Sequence, residues 1–269
     1  MASSPPYSID PADPRAPSLA VWEKLTPSER QRVVDQLPSE VELGPPEGDP
    51  HRIPKQRGIE ALDAFFQRIG RKVYLSSELP VYYPGERMFA PDLIAVCDVE
   101  PAERMRWVVA NEGKGLDFAL EVTLEGSRTK DLNENVERFA RLGIPEYFIF
   151  DRKHLRLYGH RLLQAEPRYA PIVPQQGRWH SEILGLDLAI EGGRFRFYLG
   201  TAVVPELSEL VSRANALAED LQSRLEQLET QVLSEQQRAS SEQQRAENAE
   251  ARIAELEAEL ARLRGERSR

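Results

Sequence analysis

The sequence predicts an α/β domain with one mixed sheet flanked by helices, followed by a long C-terminal helix of coiled-coil type. Three observations carry this reading. Apolar residues recur at helical spacing near residues 55–69 and again near 129–142. Around them lie short runs rich in β-branched and aromatic residues, bounded by Gly, Pro or charges. From Leu207 a heptad pattern continues with neither Gly nor Pro as far as Arg264.

Residues 1–17 (MASSPPYSIDPADPRAP) are rich in Pro, Ser, Ala and Asp and offer little to bury, so a disordered leader is expected. Val21, Trp22, Leu25, Val33, Val34 and Leu37, with Thr26-Pro27-Ser28-Glu29 as a helix-start signal, predict one short amphipathic helix ending before Pro38. The Gly- and Pro-rich stretch 40–54 reads as a loop. It leads into a helix over about Lys55–Ile69. Ile59, Leu62, Phe65, Phe66 and Ile69 form its apolar side, Lys55, Glu60, Asp63 and Gln67 lie largely on the other, and Gly70 stops it. Strand-like runs follow at 73–83, 91–97, 107–110, 118–124, 147–150, 155–158 and 194–198. The helix over about 129–142 carries the stripe Leu132, Val136, Phe139, Ala140, with Gly143 at its C-terminal stop.

In the last segment, position a is held by Val211, Ala218, Leu225, Val232, Ala239, Ala246, Ile253 and Leu260. Position d runs from Leu207 through Leu221 and Leu228 to Leu256 and Leu263, but carries Glu at 235 and 242. At 1.5 Å per residue such a helix extends about 90 Å. A stalk that dimerises or binds another coiled-coil partner is expected; a solitary charged helix or an intramolecular hairpin is the alternative.

Composition narrows the function classes. A single cysteine, Cys97, excludes an internal disulfide framework and CxxC-type sites, and four scattered histidines (51, 154, 160, 180) do not suggest a histidine-rich metal centre. No run approaches a membrane span and no secretory pattern opens the chain, so a cytoplasmic protein with no membrane partner is expected. The net charge of −9 argues against a broadly basic nucleic-acid coat, although Arg52, Lys55, Arg57, Arg68, Arg71 and Lys72 make one neighbourhood locally basic. Trp22, Trp107 and Trp179 read as packing anchors, and His154 and His160 as surface or core histidines. Gly113-Lys114-Gly115 lacks the spacing of a phosphate loop.

Two carboxylates stand out. Asp92 follows Pro91 and precedes Leu93-Ile94-Ala95-Val96, and Glu121 interrupts Phe118-Ala119-Leu120-Glu121-Val122 from within. Alternation puts Glu121 with Ala119 and Thr123, away from the more apolar face of Phe118, Leu120, Val122 and Leu124. On a central strand that carboxylate requires a cation, a proton or a metal ion; on an exposed sheet face it is merely solvated.

Pro91-Asp92 followed by Glu121-Val122-Thr123 resembles the PD-(D/E)XK nuclease superfamily. More narrowly, Glu121-Val122-Thr123-Leu124-Glu125-Gly126-Ser127, then Lys130-Asp131-Leu132, then Gly143-Ile144-Pro145-Glu146-Tyr147-Phe148-Ile149-Phe150-Asp151 resembles the Uma-two family of restriction endonucleases. The resemblance covers roughly residues 50–200. It implies a restriction-endonuclease-like domain over 51–203, between an N-terminal helix and loop (18–50) and a coiled coil (204–265) with a short tail (266–269). It also implies Mg²⁺- or Mn²⁺-dependent cleavage of DNA, with Asp92 and Glu121 as catalytic metal ligands.

The superfamily's motif lysine falls at Thr123 here, and Asn135 stands where related sequences commonly show another lysine. Lys130 is the candidate replacement, because the macrodipole disfavours a cation in a helix's first turn unless an anion lies close; the alternative is an exposed lysine paired with Glu134. Glu60, Asp49 and, preferentially, Glu47 are candidates for a third acid. A catalytically silent nuclease-fold scaffold working through its coiled coil is the competing reading.

Overall fold

The computed structural model describes residues 7–39, 48–124 and 130–267, with side chains to residue 262. It divides into two compact units, Met1–Leu207 and Ser208–Arg269. Residues 7–17, expected as a disordered leader, are packed. Ala16 is buried in a small cluster with Trp22, Val33, Leu37, Tyr82 and Val108, and Tyr7 and Ile9 lie against it. The Tyr7 hydroxyl donates to the Arg15 carbonyl (3.1 Å) and the Arg15 guanidinium to the Gly85 carbonyl (3.3 Å). Backbone bridges from Arg15 to Arg87 and from Ala16 to Pro84 hold a segment whose own apolar content is small.

The single N-terminal helix read from the sequence is two, α1 (Leu19–Trp22) and α2 (Pro27–Gln36). The break is the capping box that opens α2: Thr26 Oγ1 accepts from the Glu29 amide, and the Glu29 carboxylate accepts from the Thr26 amide at 2.8 Å. Helix α3 (Asp49–Ile69) begins six residues before the expected Lys55. Pro50 sits in the first turn, where its missing N–H costs nothing, and Pro54 continues inside the helix at the loss of one hydrogen bond. Gly70, at φ +69°, closes it in the left-handed conformation.

Next come β1 (Val73–Ser76), β2 (Val81–Tyr82), β3 (Leu93–Cys97), β4 (Trp107–Val108), the short α4 (Val109–Glu112) and β5 (Phe118–Thr123). A π-helical turn (Lys130–Glu134) leads into α5 (Asn135–Arg141), then β6 (Glu146–Asp151), β7 (Arg156–Leu162) and β8 (Tyr169–Pro171). The main sheet has the order β1-β3-β5-β6-β7-β8, mixed because β5 and β6 pair in parallel through the α5 crossover while the other pairs are antiparallel. β9 (Trp179–Ser181), β10 (Leu186–Glu191), β11 (Arg194–Leu199) and β12 (Ala202–Val203) form a second, antiparallel sheet. Of that sheet the sequence reading named only β11. The expected mixed sheet flanked by helices is the fold observed.

Alternation along the central strands makes two cores. Leu93, Ala95, Phe118, Leu120, Val122, Phe148 and Phe150 face α3 and the second sheet. Ile94, Val96, Ala119, Tyr147 and Ile149 face Phe139 of α5 together with Trp107 and Val81. Both faces of β5 are therefore covered, and all six of its residues are buried. Gly58 of α3 lets the helix approach: a Cβ there would meet Phe195 at 2.8 Å and Leu93 at 3.2 Å. We expect Gly58→Ala to destabilise the domain by about 1–3 kcal/mol through overpacking, against the gain of about 1 kcal/mol in helix propensity. Thermal unfolding checks the sign.

Helix α6 (Leu207–Arg267) is one unbroken helix, so the hairpin alternative is not what forms. Its heptad residues Val211, Leu221, Leu225, Leu228, Val232, Ile253, Leu256 and Leu260 are half exposed. No helix among the described residues is long and apolar enough to cross a membrane.

Candidate active site

The register of β3 on β5 builds the centre. Leu93 pairs with Leu120 in antiparallel fashion, so one step further Asp92 lies opposite Glu121 with both side chains on the same face. Each carboxylate accepts from the neighbouring strand: the Asp92 amide donates to Glu121 Oε2 at 3.2 Å, and the Val122 amide donates to Asp92 Oδ2 at 2.7 Å. Both carboxylates are buried. The solvated-face alternative for Glu121 is thereby overturned, because α5 and its turn cover that side of the sheet.

A bend in the chain clamps the Pro91-Asp92 step. The Glu78 amide donates to the Pro91 carbonyl (2.9 Å) and Ser77 Oγ to the Asp92 carbonyl (2.7 Å). Glu78 itself adopts φ +54°, a left-handed conformation uncommon outside glycine and a local strain that the clamp holds in place. Read as one strand, 73–83 is in fact broken at this bend.

Helix α3 supplies the cation. His51 and Lys55 stand one turn apart on the same face, and both reach Asp92: His51 Nε2 lies 3.2 Å from Oδ2 and Lys55 Nζ 3.5 Å from Oδ1. Lys55 also forms an ion pair with Glu78. Its side chain is 4% exposed, the opposite of the polar-side placement read from the sequence. Ile59, Leu62 and Phe66 follow Lys55 by four, seven and eleven residues, which is the spacing of a single helical face.

From the other side, the π-helical turn presents Asp131. It is buried, accepts from Asn135 Nδ2 at 3.2 Å, and its carbonyl accepts from the Tyr147 hydroxyl at 3.1 Å. Such turns recur at functional sites because they re-aim one side chain within a helix. Lys130, its neighbour and the expected catalytic cation, is exposed and has no contact with Asp92 or Glu121 among the described residues. Asn135 is buried as the partner of Asp131, and Thr123 is buried with its hydroxyl donating to the Leu124 carbonyl at 3.1 Å. Neither position supplies a positive charge.

The electrostatics follow from this arrangement. Burial pushes the Glu121 carboxyl well above its ordinary value, and the charges of Asp92 and Asp131 push it further. Burial also raises Asp92, but the His51 hydrogen bond, the charges of His51 and Lys55, and the Val122 N–H outweigh it and hold Asp92 low. The site thus contains one acid held low by its partners on α3 and one acid pushed up by burial and by the carboxylates around it.

Of the third-acid candidates, Glu47 lies outside the described residues, Asp49 pairs with Arg52 (2.8 Å), and Glu60 accepts from Gln56 (2.9 Å). The structure instead brings Glu78 and Asp131 near the pair. Of the local run of basic residues, Arg52, Lys55, Arg57 and Lys72 are each ion-paired to carboxylates, and of these only Lys55 is buried. His154 is bonded to Asp151, and His160 stacks on Tyr147.

A family model described as "Putative restriction endonuclease" matches residues 23–191, which include every residue of this centre. This chain belongs to the Uma2 family. Among solved structures, a crystal structure described as "a putative nuclease belonging to DUF820" from Anabaena variabilis matches at 14% identity, covering 49% of this chain and 74% of that chain with a TM-score of 0.38. No curated protein matches. In this Uma2 chain the Asp-Glu pair and a buried lysine meet across two adjacent strands and a helix.

Among the described residues no group of three or more His, Cys, Asp and Glu side chains forms a ready-made metal cage. The donor set nonetheless suits a hard divalent cation. Two buried carboxylates face one another, one of them short of positive charge, and Mg²⁺ binds typically through one or two carboxylates plus waters and substrate phosphate.

Proposed function

We propose that this domain is a metal-dependent endonuclease that hydrolyses DNA phosphodiester bonds, with Asp92 and Glu121 holding Mg²⁺ or Mn²⁺. The observation that carries the reading is the contact of these two buried carboxylates beside the buried ammonium of Lys55. The bound ion supplies charge neutralisation at the scissile phosphate and a more acidic water. Lys55 takes the role left open at Thr123: pinned by Glu78 and Asp92, it holds a positive charge beside the acids, where it can orient water and balance charge on the phosphate. His51 fixes the orientation of the Asp92 carboxylate, leaving Glu121 as the group whose ionisation the cation must promote. The protein acts in the cytoplasm in this reading, and α6 joins it to a coiled-coil partner.

The silent-scaffold reading is favoured by the neutral residues at 123 and 135 and opposed by Lys55. Incubation of the full chain with supercoiled plasmid separates them. Nicking in Mg²⁺ or Mn²⁺ that is lost in Asp92→Ala supports the nuclease; no nicking with either ion across plasmids of varied sequence supports the scaffold.

A further inference from the structure

We infer that α6 pairs with a second copy of itself as a parallel, in-register coiled coil, so that two copies of this domain are tethered at the same end of the stalk. The inference deepens the reading of α6 as a joining segment and does not depend on the cleavage chemistry. Two observations support it. The helix runs without a break from Leu207 to Arg267, and its a and d residues are left half exposed, so the seam requires a partner. The charges flanking that seam then select which partner. From residue 222 to residue 257 every charged g position is Arg and every charged e position is Glu.

In a parallel dimer each g residue meets the e residue five positions further along on the other chain. Arg224 then meets Glu229, Arg245 meets Glu250, and Arg252 meets Glu257, each twice by symmetry. In an antiparallel dimer g faces g and e faces e, so the same residues confront one another as Arg against Arg and Glu against Glu. Because e and g are complementary within the one sequence, a second copy satisfies the pattern without any other protein. The opposed acids at d positions 235 and 242 weaken the seam in its middle and leave the two apolar ends, 207–232 and 253–260, to hold it.

The consequence for the site is spatial. Each domain ends at Leu207, and parallel pairing puts both Leu207 residues at one end of the stalk. Antiparallel pairing would separate them by about the helix length, 90 Å. One site of the proposed type cuts one strand, and tethering two at one end matches the two strands of a duplex.

The test uses the full chain carrying Ser212→Cys, at the outward b position near the start of α6, spin-labelled and measured by pulsed dipolar spectroscopy. Cys97 is buried, with its thiol pushed up to about 11, and does not compete for label at neutral pH. Parallel pairing predicts a distance under about 30 Å between labels. A distance near 75 Å, the antiparallel value for that position, overturns the orientation, and a monomer in sedimentation at micromolar concentration overturns the pairing. A charge swap checks the cause. Arg245→Glu with Arg252→Glu is expected to weaken the dimer about tenfold or more, and adding Glu250→Arg with Glu257→Arg to restore it. Failure of the four-fold variant to recover overturns the assignment of these pairs.

Discussion

Glu121→Gln is expected to lower metal-dependent cleavage by at least about 10²–10³-fold while leaving the fold intact. The amide keeps the shape and can still accept the Asp92 N–H, but it contributes no charge toward a divalent cation. The same substitution has an opposite effect on the metal-free protein. Because the folded state raises the Glu121 pKa above its ordinary 4.5, the native chain holds a proton that the unfolded chain releases. Stability in the absence of metal therefore falls as pH rises above about 4.5, and continues to fall until pH passes the raised folded value. Asp92 acts in the other sense, but only at lower pH, around and below its ordinary 3.8. In a chelator, wild type should melt at progressively lower temperature as pH rises from about 5, and Glu121→Gln should show less of that loss. Melting scans across this range check it; parallel pH profiles for the two proteins would show that Glu121 is not under electrostatic pressure.

The second large effect is at Lys55. Lys55→Met should slow cleavage at saturating Mg²⁺ by about 10²-fold or more, and at the same time tighten divalent-ion binding. The two changes are expected in opposite directions because, in the proposed function, the ammonium that lies 3.5 Å from Asp92 Oδ1 both balances charge on the phosphate and competes with the ion for that oxygen. A purely structural lysine would weaken both together. The variant leaves Glu78 and one side of Asp92 without a cation and should cost about 1–3 kcal/mol of stability, limited because Asp92 keeps His51 and the Val122 N–H. Lys55→Arg is not expected to rescue fully, since a planar fork replaces a compact ammonium in a cleft filled by Asp92 and Glu78. Single-turnover cleavage together with metal titration gives both readings.

What could be read from the residues alone was governed by local rules. Alternation located the central strands β3, β5 and β6, and the Thr26-Pro27-Ser28-Glu29 signal placed the start of α2. Asp92 and Glu121 stood out because one precedes and the other interrupts an apolar run, and the family resemblance, not that local rule, made them a pair. The buried Lys55 beside them did not stand out. Pro50 and Pro54 suggested a loop, which began α3 at Lys55 instead of Asp49 and hid the His51, Lys55 pair at i,i+4. Had the face been measured from Ile59, Leu62 and Phe66, Lys55 would have fallen on the buried stripe.

Lys130 and Asp131 show a different limit. The run Lys130-Asp131-Leu132 drew notice for its lysine, yet the π-helical turn aims the aspartate inward and leaves the lysine in solvent. An ordinary helical wheel does not contain that extra residue in the turn. Glu78 was invisible for a third reason: it reaches the site by a bend in the chain held at positive φ, and only the tertiary clamp on Pro91 and Asp92 maintains it. The apolar stripe of α6, by contrast, is written in the heptad, and the stretch is one long helix.

In the proposed function Asp92 and Glu121 form a single divalent-ion site. Calorimetric titration of Mg²⁺ and Mn²⁺ into the full chain and into Asp92→Ala, each with and without a DNA duplex, tests it most directly. One ion per chain is expected to bind the wild type, more tightly with the duplex because substrate phosphate completes the ligand set, and none to bind Asp92→Ala. Equal heats for wild type and variant in the presence of duplex would contradict it.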